Sequence, residues 1–162
     1  MLQLKKPLAF IDLETTGVNL GTDRIVEIAI VKILTDGTKS VKRKLINPEI
    51  PIPIGASDVH GITDEMVKDA PAFKQVAQEL KQMLDGCDLA GYNSNRFDIP
   101  LLMEEFLRAL VDFDMKSRKL LDVQNIFHKM EPRTLSAAYK FYCSKNLWKS
   151  FSPRRNKNFL SK

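Results

Sequence analysis

Apolar and polar positions in the first third of the chain fall into short blocks with the length and alternation of strands. LAFIDLE, residues 8–14, is an apolar strand that carries two acids, and RIVEIAIVKIL, 24–34, is rich enough in Ile and Val to be covered on much of both faces. The glycines and polar residues of GVNLGTD supply a turn between them. Asp36-Gly37 is a hairpin signal. It leads into KSVKRKLIN, 39–47, where Lys42 and Lys44 share one face and Arg43 takes the other, a pattern that protects a sheet edge with charge. Three strands in this order make an antiparallel meander.

The prolines of NPEIPIPIGASDVHGIT deny the backbone donors that a regular ladder needs, so a loop is expected there. Thr63 or Asp64 caps a short helix over DEMVKDA, with acids placed to suit its dipole. Phe73, Val76, Ala77, Leu80, Met83 and Leu84 recur at helical spacing, and Gly86 ends that helix. DLAGYN, 88–93, is short enough for a buried strand. After Asp98 the chain turns helical, with Pro100 in the first turn and Ile99, Leu102, Met103, Phe106 and Leu110 as its buried stripe. A last strand over 118–123, a helix near 124–130 and a helix over TLSAAYKFYC burying Leu135, Ala138, Tyr139 and Tyr142 complete the pattern. A meander followed by strands alternating with helices predicts an α/β fold, a mixed sheet with flanking helices.

The length of 162 residues suits one domain, and 44% hydrophobic with 28% charged residues is an ordinary globular composition. No apolar run is long enough to span a bilayer and MLQLKKP lacks a signal-peptide pattern, so the expected location is cytoplasmic, with no membrane partner. Cys87 and Cys143 stand far apart without a CxxC and are expected to be buried free thiols. The 25 Lys and Arg exceed the 20 Asp and Glu by five. Lys149, Arg154, Arg155, Lys157 and Lys162, in a stretch with no acid, account for that whole excess. The body is therefore neutral, and the periodicity stops where the basic tail starts. Residues 148–162 are expected to be irregular.

The chemistry concentrates at AFIDLETTG. Residues two apart on a strand point the same way, so Asp12 and Glu14 share a face. Two ionised carboxylates about 4 Å apart repel by roughly 4 kcal/mol at an effective dielectric near 20. A buried pair of that kind calls for a cation, a shared proton or a strong donor.

Three ordered motifs, IDLETTG at 11–17, HGIT at 60–63 and GYNSNRFDIPLL at 91–102, resemble those of the DEDDh 3′–5′ exonucleases. This DnaQ-like family contains the proofreading epsilon subunit of bacterial DNA polymerase III. The resemblance covers roughly residues 7–147, the expected exonuclease-like domain, and implies a ribonuclease H-like fold with the first strand central. It implies two divalent cations, Mg2+ or Mn2+, clamping a scissile phosphate. Asp12 and Glu14 match the first acidic motif; Asn93, Phe97 and Asp98 match the second, Asn-x-x-x-Phe-Asp. By that resemblance Asp12, Glu14 and Asp98 would be the catalytic acids and metal ligands. Leu13, Thr15 and Thr16, with His60 and Ile62 opposite, would hold the terminal nucleotide. The implied partners are single-stranded DNA or frayed 3′ ends and a DNA polymerase subunit.

Each residue also has a plainer role. Asp98 suits a helix cap, Asn93 can close a loop through backbone bonds, His60 can be a loop histidine, and Tyr92 and Phe97 can be wall residues. The family's third motif, His-x-Ala-x-x-Asp, which supplies the general base and a fourth acid, is absent from these 162 residues. The chain has two histidines, His60 in the HGIT loop and His128 ahead of the last helix, where a surface or boundary position is expected. Aligned without gaps, the missing His and Asp fall near Phe151 and Asn156, which can neither accept a proton nor add a charge. The change after Leu147 is what a reading-frame shift or an altered terminus produces; the other reading is a native basic tail that binds nucleic acid. The expected function is a 3′–5′ exonuclease on DNA ends, impaired by the missing motif. The alternatives are a non-catalytic nucleic-acid or polymerase-binding module and an RNA-directed exoribonuclease.

Overall fold

The computed structural model describes residues 3–131 and 134–144. The expected tail over 148–162 and the Leu135 side chain lie outside the described residues. Five strands form one sheet: β1 (Leu8–Thr15), β2 (Ile25–Ile33), β3 (Lys39–Leu45), β4 (Asp88–Gly91) and β5 (Leu120–Asp122), in the order β3-β2-β1-β4-β5. β1, β2 and β3 are antiparallel neighbours, while β4 and β5 join parallel to β1. The meander, the mixed sheet and the central first strand all match the sequence pattern. So does the edge chemistry: Lys42 and Lys44 both pair with Glu79, whereas Arg43 turns to Glu27 at 2.6 Å.

The helices are α1 (Ile54–His60), α2 (Asp64–Val67), α3 (Phe73–Leu84), α4 (Asp98–Arg108), α5 (Val123–Met130) and α6 (Leu135–Cys143). Ile11 and Leu13 of β1 and Ile28 and Ile30 of β2 are buried in one core with the apolar stripes of α3 and α4. Phe106 of α4 ties the layers together, edge-on to Phe73 at 5.3 Å and stacked on Phe113 at 4.4 Å. Side chains alternate across β1, so burial of Ile11 and Leu13 leaves Asp12 and Glu14 on the opposite face.

Several expectations need correction. The expected loop at 47–63 contains α1, because its prolines precede the helix, where a missing N–H costs nothing, and Pro53 itself stands at the N-cap. Gly61, at φ 75°, ends it in the left-handed conformation that a residue without Cβ adopts freely. Thr63 stands at the N-cap of α2 as expected but makes no side-chain cap bond, and Asp64 accepts from Ile52 N–H at 3.0 Å and pins the preceding segment. Leu110 is not in the stripe of α4. It lies beyond the helix at φ 57° and is 86% exposed, as Val111 N–H closes the helix end onto Phe106 O. Buried Leu101 and Glu105 complete that stripe.

The chain divides into two compact units, Met1–Asn125 and Ile126–Lys162. In the second, Thr134 caps α6 by accepting from Ala137 N–H at 3.2 Å. Tyr139 is half-buried, but Ala138 and Tyr142 are exposed rather than buried. Helical spacing states which residues share a face; it does not state that the face is covered. His128 is half-buried on α5, as a boundary residue should be. Both cysteines are free; Cys87 is buried as expected, and Cys143 is exposed because it sits at the end of α6. Among the described residues, no helix is long and apolar enough to cross a membrane.

Candidate active site

The register of β1 decides what the first motif can do. Asp12 is opposite Ala29 of β2, whose small side chain leaves the acid open, and Glu14 is opposite Glu27. Asp12 is thus exposed and Glu14 half-buried, so the pair is less buried than an apolar strand led one to expect. α3 and α4 cover the other face of β1. Glu14 is nevertheless pushed above its usual range, first by burial and then by Asp12 beside it.

Asp98 comes to the same place from α4. It is the first helical residue, one position past the N-cap Phe97, and its carboxylate leaves the helix to accept from Leu13 N–H at 3.2 Å. That bond fastens α4 to β1 between the two strand acids. Asp98 is buried, and burial raises its pKa; the Asp98 and Leu13 N–H groups pull it down, and Asp12 and Glu14 push it up again. Three carboxylates therefore feel one another's charge. Among the described residues no group of three His, Cys, Asp or Glu stands ready to enclose an ion. Asp98 is committed to a backbone donor, and like charges do not converge unaided. The donor set itself, carboxylate oxygens from two elements, is the kind that hard divalent cations take.

Beside the acids runs a groove of about 410 Å³ lined by Leu13, Glu14, Thr15, Thr16, His60 and Phe97, with Gly17, Val18, Gly55, Ala56 and Val59. It brings together most of the nucleotide-holding residues expected from the motifs. Ile62 lines a second groove that shares His60 with the first, and Asn93 lines neither. Asn93 has φ 58°, a conformation that Asn tolerates better than most residues, and serves the turn between β4 and α4.

His60 is a clip. Its Nδ1 accepts from Ile62 N–H at 3.0 Å, which leaves the proton on Nε2 to be donated to Thr15 O at 3.2 Å. The Nε2 bond holds the end of α1 against the end of β1, and the Nδ1 bond closes the turn that follows α1. The facing wall is built by Asp23, which accepts from Thr16 Oγ1 and Asn19 N–H, with its carboxylate over Gly17 where a Cβ would come within 2.5 Å. Arg108 holds the same loop from α4 by donating to Leu20 O, Gly21 O and Asp23 O.

Three contributors were not identified from the motifs. The α1 residues of the first groove were hidden by the loop expectation. Glu27 is buried, lines the second groove and carries the same signal as Asp12, an acid inside an apolar strand. Asp122, at the end of β5, accepts from Asn93 N–H at 2.9 Å, Gln124 N–H at 3.0 Å and Asn95 N–H at 3.4 Å. It thereby fixes the turn that delivers Asp98. Asp122→Ala removes the charged acceptor of three amides, Asn93 and Gln124 partly buried among them, and should cost about 2–3 kcal/mol. Urea unfolding should show that loss, and hydrogen exchange should accelerate at the Asn93 amide; unchanged protection there would contradict the role.

Comparison with known proteins gives this geometry a family. The Exonuclease (RNase_T) family profile matches residues 9–150. The DNA polymerase III subunit epsilon of Buchnera aphidicola is 30% identical over 141 residues, 83% of this chain and 56% of the relative. The 3′–5′ exonuclease DinG of Staphylococcus haemolyticus is 30% identical over 119 residues, 74% of this chain and 13% of the relative. The chain thus spans from about an eighth to just over half the length of these relatives. In fold it is similar to E. coli exonuclease I in complex with a dT13 oligonucleotide, with a TM-score of 0.68, 19% identity, and 76% of this chain and 29% of that one covered. A match that takes in the acids of β1, the HGIT clip and the Asp98 turn in their order along the chain places this protein in the Exonuclease (RNase_T) family.

Proposed function

We propose that this chain is a 3′–5′ exonuclease domain whose cation-binding half is intact and whose proton-transfer half is missing. The observation that carries the reading is the bond from Leu13 N–H to Asp98, which sets a buried third carboxylate beside Asp12 and Glu14. Asp12, Glu14 and Asp98 would hold two divalent cations, Mg2+ or Mn2+. When bound, these supply the positive charge that orients the scissile phosphate and stabilises a leaving 3′ oxygen.

The groove beside Glu14 supports a terminal nucleotide as the ligand. Val18 and Val59, both exposed, offer apolar surface to a base or sugar beside Glu14, and His60 clips the end of α1 to the end of β1 across the groove. Single-stranded DNA or a frayed 3′ end fits an open groove of this kind, in line with the oligonucleotide complex of exonuclease I. The epsilon relatives support a DNA polymerase subunit as partner.

Proton transfer is where the chain falls short. No His-x-Ala-x-x-Asp occurs within the 162 residues, and His60 cannot stand in, because both its nitrogens are engaged. That observation favours a second reading, a non-catalytic module that binds nucleic acid. Digestion of a 3′-labelled single strand in Mn2+ separates the two. Slow shortening that Asp12→Ala removes supports the impaired exonuclease; no shortening above the Asp12→Ala background supports the module.

A further inference from the structure

The second groove opens on the far side of His60 and is lined by Glu27, Arg43, Leu45, Gly61, Ile62 and Met66 as well. Glu27 is directly opposite Glu14 across the β1–β2 ladder, so the two grooves meet along one edge of the acid cluster. Arg43 is the one Lys or Arg among the residues lining either groove. Its ion pair with Glu27 runs through Nε at 2.6 Å, and the Glu27 side chain is 8% exposed while that of Arg43 is 70% exposed. A guanidinium has five N–H donors. Anchored at Nε, Arg43 keeps its terminal NH2 groups for an acceptor arriving from solvent.

We infer that this second groove is a nucleotide subsite, in which Arg43 contacts a phosphodiester of the single strand whose 3′ end occupies the first groove. The inference rests on the proposed function. Near Asp12, Glu14 and Glu27 a polyanion meets repulsion, and Arg43 is the groove cation that offsets it. Its planar fork suits phosphate, and Glu27 fixes its stem in advance. Leu45, Ile62 and the half-exposed Met66 supply an apolar wall for a base, and the flexible thioether adapts to any of the four.

The test measures the affinity of the full chain for a labelled oligothymidylate with a free 3′ end, in Mn2+ across a salt series. Arg43→Gln keeps a donor for Glu27 but removes the charge, and Arg43→Lys restores a charge. One lost phosphate contact lowers the slope of log K against log salt by about 0.7 for a single strand. Arg43→Gln should show that decrease and weaker binding at low salt, with Arg43→Lys returning the slope to that of the wild type. A wild-type slope in Arg43→Gln overturns the inference. Mn2+ and Asp12→Ala arms report separately on the underlying reading: wild-type binding that Mn2+ does not tighten, or that Asp12→Ala leaves unchanged in Mn2+, overturns that reading while the Arg43 slope still stands or falls alone. A wild-type chain that binds no strand overturns both.

Discussion

Purified wild-type chain should shorten a 3′-labelled single strand at least about a hundredfold more slowly than an intact family member. General-base catalysis is commonly worth about 10² to 10⁴ in rate, and the His-x-Ala-x-x-Asp motif that would supply the base does not occur in these 162 residues. His60 is held by Ile62 N–H on one nitrogen and Thr15 O on the other. Its proton already sits on Nε2, so a further proton could enter only at Nδ1, where it would break the bond from Ile62 N–H that closes the turn after α1. On the proposed function the residual rate would come from Asp12, Glu14 and Asp98 and the cations they would hold, so Asp12→Ala should remove it. A wild-type rate near that of an intact enzyme would show that another group moves the proton.

The largest expected loss of stability comes from Glu105→Ala. The Glu105 side chain is 1% exposed and accepts from Arg24 Nε at 2.6 Å, Arg24 Nη2 at 3.3 Å and Arg108 Nη1 at 2.9 Å. Removing one partner of a buried ion pair costs about 3–5 kcal/mol, because the charge left behind has lost its counter-ion. The arginine side chains keep some contact with water, so the lower end, about 3 kcal/mol, is expected. Urea denaturation should show the midpoint falling with an unchanged slope. Glu79→Ala is the control: Glu79 holds Lys42 and Lys44 at the surface, where solvent screening leaves ion pairs with little effect on stability. Equal losses in the two variants would contradict the account. Glu105 also acts at a distance, since Arg24 and Arg108 tie down the 16–24 loop that forms one wall of the first groove.

The strands and the acids were legible in the sequence because period-two alternation in β1 fixes which side chains share a face whatever packs against them. Lys42, Lys44 and Arg43 of β3 were legible for the same reason, and their partners Glu79 and Glu27 lie on the faces the alternation assigns. α1 was not legible. Prolines argue against a ladder but are neutral about a helix that begins after them, and Ile54–His60 buries no residue that would give it an apolar stripe. Leu110 fails differently, since periodicity cannot see where a helix ends when no glycine marks the spot. Glu27 and Asp122 depend on partners far away in sequence, Arg43 in one case and the amides of the β4–α4 turn in the other. Only tertiary structure brings those together.

We propose that Asp12, Glu14 and Asp98 form one cation-binding cluster. Thermal midpoints measured from acid to neutral pH, with and without Mn2+, test it most directly. In the folded protein Glu14 and Asp98 are raised above their ordinary values of 4.5 and 3.8. The metal-free fold therefore binds protons at these sites more tightly than the unfolded chain does. Their stabilising contribution is complete below the ordinary carboxylate range and is lost as pH rises through the raised values. Mn2+ competes with those protons, so its stabilisation should grow across the same interval and reach its full size where all three acids are ionised. The predicted result is an Mn2+-induced rise in midpoint that increases with pH and disappears in Asp12→Ala. An Mn2+ effect that is absent from the wild type, or equally large in Asp12→Ala, would contradict the account.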